Sequence, residues 1–132
     1  MKNLRKIAIL LVLVMASLLL VSCAPYTEEA GVYECYELRI DSKDCLSLYE
    51  YYRITLEADG TCVVESKGVD NSSTYKAAAT FSIKDNKITV VTTNGAASVT
   101  EVYDYIDGEI IMETTISGMK MYAKFARAII ED

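Results

Sequence analysis

The chain has no histidine among its 132 residues and a single proline, Pro25. Without imidazole it lacks the commonest general base near neutral pH and the commonest nitrogen ligand for a metal. No serine sits in a nucleophile elbow, no glycine-rich loop is spaced to cradle a phosphate, and no Ser/His/Asp set exists. Zinc is excluded on spacing: Cys35, Cys45 and Cys62 lie 10 and 17 residues apart, whereas structural zinc wants four ligands at close spacing. Neither an enzyme nor a cofactor is therefore expected. Positive charge is scarce as well. Of thirteen basic residues, Lys2, Arg5 and Lys6 fall in the first 22 positions, which contain no acid; the remainder carries ten against nineteen acidic residues, a net charge of −9. That balance argues against nucleic acid, whose phosphates need clustered Lys and Arg, and against a basic patch held to anionic lipid. The one long apolar run, Ile7 to Val21, is 15 residues, short of the roughly 20 that cross a bilayer as a helix.

What that run does fit is an export signal: a basic start, an apolar centre and a small-residue end. The end, Leu20-Val21-Ser22-Cys23, resembles the lipobox of bacterial lipoproteins. The resemblance implies cleavage before Cys23, acylation of that cysteine by palmitate-type chains, and a lasting anchor on the extracytoplasmic face of the cell membrane. Residues 1–22 are then the signal peptide and 23–30 the lipidated cysteine and its linker. Residues 31–127 form the folded domain, and 128–132 a short tail.

From Gly31 onward the apolar residues alternate, which is strand periodicity. Tyr75, Ala77, Ala79, Phe81 and Ile83 share one face, while Lys76, Thr80, Ser82 and Lys84 share the other. Asp85-Asn86 follows, a pair that tolerates the positive φ of a tight hairpin. The β-branched stretch Lys87 to Thr93 comes next and ends at Asn94-Gly95, a strong hairpin signal. Further strands are predicted at Gly31 to Ile40, Tyr52 to Leu56, Thr61 to Lys67, Ala97 to Ile106, Glu109 to Ile116 and Met119 to Arg127. Turns are expected at Ala58-Asp59-Gly60, Asp107-Gly108 and Ser117-Gly118. Only Asp41 to Leu48 is long enough for a helical turn or a lid.

Eight strands joined by tight turns make neighbours in sequence neighbours in space. An antiparallel meander of that length removes its edges by closing on itself. The expected fold is all-β, an eight-stranded up-and-down barrel. A two-sheet Greek-key sandwich is the alternative, but its crossings need longer connections. Five segments, Gly31-Val32-Tyr33, Ile54 to Thr61, Phe81 to Thr89, Tyr103 to Ile111 and Met121 to Phe125, together resemble the lipocalin-like domain of small lipid-anchored lipoproteins of Gram-positive bacteria. The resemblance implies a lipocalin-like barrel and transfers no catalytic or ligand residues.

Barrels of eight strands are either filled by side chains or hold one small ligand. The predicted interior includes Tyr75, Ala77, Ala79, Phe81, Ile83, Met112, Met121 and Phe125 as candidate ligand contacts. Ile88, Val90, Ile110 and Met119 fall on the same face, and Tyr33, Tyr103 and Tyr105 are further candidates. Two functions follow. In one, the barrel binds a small apolar molecule. In the other, a packed barrel docks another envelope or host protein through an outer patch such as Tyr49, Tyr51 and Ile111. Tyr52 is in phase with Ile54 and Leu56, so Tyr49 and Tyr51 are expected to face outward. Cys35 and Cys45 are the nearest pair for a disulfide in an exported protein, with three free thiols as the other outcome. Asp104, Asp107, Glu109 and Glu113 read as solvated hairpin positions and not as a calcium loop.

Overall fold

The computed structural model describes Ala24–Asp70 and Thr74–Ala128. The chain is all-β, with strands β1 (Gly31–Ile40), β2 (Lys43–Asp44), β3 (Tyr49–Leu56), β4 (Thr61–Gly68), β5 (Thr74–Lys84), β6 (Lys87–Asn94), β7 (Ala97–Ile106), β8 (Glu109–Ile116) and β9 (Met119–Arg127). The eight long strands form a closed antiparallel barrel; β2 is a two-residue addition to the end of β1. Each long strand pairs with its successor, and β1 closes the ring against β9 from Tyr33↔Arg127 to Ile40↔Met121.

The hairpins form for the reasons legible in their residues. Asp85 and Asn86 both take positive φ, 53° and 61°, as a type I′ turn requires. The Asn94-Gly95 hairpin is displaced by one residue from expectation. Asn94 pairs with Ala97, so the loop is Gly95-Ala96 with φ of 64° at Gly95, the pattern of a type II′ turn with glycine first.

The barrel is not equally closed along its length. One end holds the β3–β4, β5–β6 and β7–β8 turns and is filled by Tyr33, Ile54, Leu56, Ile88, Ile110 and Phe125, each at most 2% exposed. At the other end two seams open. β7 and β8 pair only at Asp104↔Ile111, Tyr105↔Ile110 and Ile106↔Glu109. Beyond those rungs, among the described residues, β7 is bonded to β6 alone and β8 to β9 alone. β1 and β3 likewise pair only from Gly31↔Leu56 to Glu34↔Arg53. That second seam is filled by the long connection, where a 3₁₀ turn at Leu46–Leu48 follows β2. Cys45 N–H donates to the Leu38 carbonyl (2.9 Å), and Val69 N–H donates to that of Leu48 (2.9 Å).

The segment Ala24–Ala30, expected as a linker, is instead folded onto the closed end. Tyr26 N–H donates to the Ala58 carbonyl (3.0 Å), and the Tyr26 ring packs on Phe81 with centroids 4.7 Å apart. The Tyr33 hydroxyl donates to the Glu29 carbonyl (2.6 Å) and lies 2.9 Å from the Tyr105 hydroxyl. Arg127 reaches the same cluster, donating to the Glu28 carbonyl (2.7 Å) and to the Tyr33 hydroxyl (2.8 Å). A phenol buried at a barrel's end is costly unless bonded, and here the linker's carbonyls supply the acceptors.

Candidate functional site

The open end is a cup of about 320 Å³, at the lower edge of the range for small-molecule sites. Its floor is Tyr52, seated edge-on over the buried Phe125 at a centroid distance of 5.0 Å. Its walls are Ile54, Val64, Ala77, Val90, Met112 and Met121, with Ser66, Thr92, Thr114 and Glu101 as polar groups. Tyr49, Tyr75 and Tyr103 complete an aromatic lining. Around the mouth stand apolar side chains left in solvent: Leu48, Val69, Tyr75, Val99, Ile116 and Met119 are 44–59% exposed. Singly such residues mean little, but grouped around a cavity they mark an access surface.

The predicted interior divides between the two ends. Tyr75, Ala77, Met112 and Met121 line the cup. Ala79, Phe81 and Phe125 are buried in the closed half, and Ile83 is half-buried there, donating its N–H to the Tyr26 hydroxyl (3.3 Å). Those four fill the barrel and do not touch the cavity, because they sit below the rungs where it is closed. Of the wider set, Val90 and Tyr103 reach the cup, Ile88 and Ile110 are core, and Tyr33 and Tyr105 bond each other at the closed end. Met119, expected inside, is 44% exposed because it stands at the tip of the β8–β9 hairpin beyond the core.

Tyr49 is a correction of another kind. The β3–β4 ladder slips between Tyr49↔Gly68 and Tyr51↔Lys67, so Glu50 is an extra residue. A bulge of this kind reverses the phase beyond it. Tyr49 therefore turns inward beside Tyr52, with ring centroids 5.7 Å apart. Tyr51 stays on the outer side beneath the Arg53 guanidinium, 4.2 Å from its ring centroid. Strict alternation could not have found this. Glu101 was missed too, because a charged residue on an inward phase contradicts the pattern used to assign the interior.

A larger depression, about 660 Å³, lies on the outer face of β1, β8 and β9. Within it Glu37 is paired with Arg39 (2.9 Å) and Lys124 (3.8 Å), and its apolar lining is limited to Met121 and Tyr122. Two of the carboxylates near the β7–β8 turn are occupied: Asp104 is paired with Lys87, and Glu109 accepts from the Tyr36 hydroxyl. Among the described residues no group of three or more His, Cys, Asp or Glu is placed to hold a metal.

Cys35, Cys45 and Cys62 are free thiols, so no bridge joins Cys35 to Cys45 in this structure. Cys23 lies outside the described residues, as do residues 1–22 and the last four residues. Burial pushes the Cys35 and Cys62 thiols up from 9.0 to about 11. The bond to Glu109 raises the exposed Tyr36 phenol to about 12. Burial also raises Tyr52 and Tyr105, with the Tyr33 hydroxyl adding to the latter. All of these groups are neutral when protonated, and the unfolded chain loses those protons at lower pH than the fold does. Their contribution to stability is complete below about pH 9 and falls as pH rises through 9 to 11 and beyond. Urea midpoints on either side of pH 9 check this; a flat profile up to pH 11 is the contrary result.

No protein-family model matches the chain, and no curated protein matches it at a meaningful level. The assignment of a role therefore rests on the cup and on the sequence that leads to it.

Proposed function

We propose that this protein is a lipid-anchored extracytoplasmic binding protein whose open barrel end receives a small, mostly apolar molecule. The observation that carries the reading is the cup itself: about 320 Å³ of space above a packed floor, ringed by exposed apolar side chains. A barrel built only as a scaffold would fill that space, since interiors pack to the density of organic crystals. The reading fits the resemblance to lipocalin-like lipoproteins, in which Cys23 bears the lipid. The cavity offers phenols, hydroxyls and one carboxylate, in a chain without histidine, which suits holding a molecule better than transforming it.

The alternative, a packed module that docks a protein through Tyr49, Tyr51 and Ile111, loses ground on two counts. The interior contains space, and none of those three residues is fully exposed.

Native mass spectrometry of the unheated, exported protein is the test. An added mass that disappears on denaturation is expected. A bare protein mass that stays bare after incubation with a lipid extract of the producing cells overturns the reading.

A further inference from the structure

We propose that the molecule held in the cup carries a positive charge, an ammonium or quaternary ammonium group on an apolar body, seated between the cup's tyrosines and Glu101. The inference rests on the binding reading above and deepens it by naming the chemistry of the ligand.

Of the residues that line the cup, Glu101 alone is charged, and no Lys or Arg is among them. Its position in the ladder, opposite Val90 on the inward phase with Tyr103, is one that a barrel wall normally gives to an apolar residue. Among the described residues Glu101 forms no ion pair, although five ion pairs are made elsewhere on the barrel. Glu101 is exposed at the mouth of the cup, where a cation brought in by the ligand can pair with it.

The aromatic residues point the same way. Tyr49, Tyr52, Tyr75 and Tyr103 gather on one cavity, with the Tyr49 and Tyr52 ring centroids 5.7 Å apart. Ring faces carry negative potential, and several of them around one site attract ammonium groups without demanding hydrogen bonds from them. An anionic head would meet Glu101 with no Lys or Arg in the lining to neutralise it. A neutral body would fill the apolar wall and leave the carboxylate unused. Ser66, Thr92 and Thr114 can serve either kind of head and do not discriminate.

Three probes of matched size separate charge from shape. Phenyltrimethylammonium and tert-butylbenzene differ only in a nitrogen cation against a carbon, and benzenesulfonate reverses the charge. Each is titrated by ligand-observed NMR into the full chain carried in lipid nanodiscs, with empty nanodiscs as the blank. The cation is expected to bind about tenfold more tightly than its neutral isostere, with the sulfonate weakest. Glu101→Gln is expected to narrow the cation's advantage over tert-butylbenzene, leaving the share that the tyrosines supply. Equal or tighter binding of tert-butylbenzene, or of the sulfonate, overturns the charge inference while the binding cup stands. An unaltered preference for the cation in Glu101→Gln overturns the role of the carboxylate. If no probe binds, this inference fails, and the native mass spectrum decides the cup reading separately.

Discussion

Phe125→Ala is expected to destabilise the barrel by about 3–5 kcal/mol, among the largest effects open to a single core position. Phe125 is 0% exposed and stands on β9, the strand that closes the ring, with Cys35 opposite on β1 and Ile110 opposite on β8. Truncation removes the ring's transfer energy and leaves a void that three paired strands cannot collapse around. It also removes the support under Tyr52, whose ring meets that of Phe125 nearly at right angles (86°). For a domain of this size the melting temperature should fall by roughly 15 °C or more. Urea unfolding of Phe125→Ala beside a control at an exposed strand position, Thr115→Ala, measures it. A loss no greater than the control's would mean that the barrel's closed half is not packed as described.

The second large effect is one of location. With Cys23 as the acylated residue, Cys23→Ser should carry no fatty-acid label when cells are grown with an alkyne-tagged palmitate, while the native chain labels. One acyl chain holds a protein to a bilayer only marginally, and two or more hold it for good, so loss of the site is close to all-or-none. The barrel should be unaffected, because its ladders, its buried core and the docked Tyr26 all lie beyond Cys23. The variant is expected to leave the membrane fraction with its circular dichroism unchanged. Label retained in the variant, or retention on membranes after a high-salt wash, would sink the lipoprotein reading.

Much of the barrel could be read from alternation and turns, and the errors have physical origins. Strands β5 to β9 and their hairpins carry clean signals, namely Asp85-Asn86, Asp107-Gly108 and Ser117-Gly118, all in the positive-φ region. The turn at Asp41-Ser42 also has positive φ at both residues, 50° and 69°, yet contains no glycine or asparagine to announce it, so β2 was invisible. Tyr49 was assigned to the wrong face because a one-residue bulge at Glu50 leaves no mark in composition. Half of the expected cavity residues proved to be filling. Periodicity tells which side a residue faces, but how far along the barrel the strands stay paired depends on long-range ladders. The β7–β8 ladder, only three rungs long, decides where packing stops and the cup begins. Tyr26 was missed as a core contact because a residue beside a proline, before the first strand, looks like leash.

That docked segment fixes a geometry. Seven free residues would give a tethered barrel a reach of about 23–25 Å in any direction. With Tyr26 bonded to Ala58 and stacked on Phe81, only Ala24 and Pro25 separate an acylated Cys23 from the folded body, about 7 Å of chain. The closed end would then rest against the headgroups and the cup would face outward, away from the bilayer. A receptacle held that way collects its cargo from the surrounding medium or from a neighbour's donation, and not by dipping into the membrane that carries it.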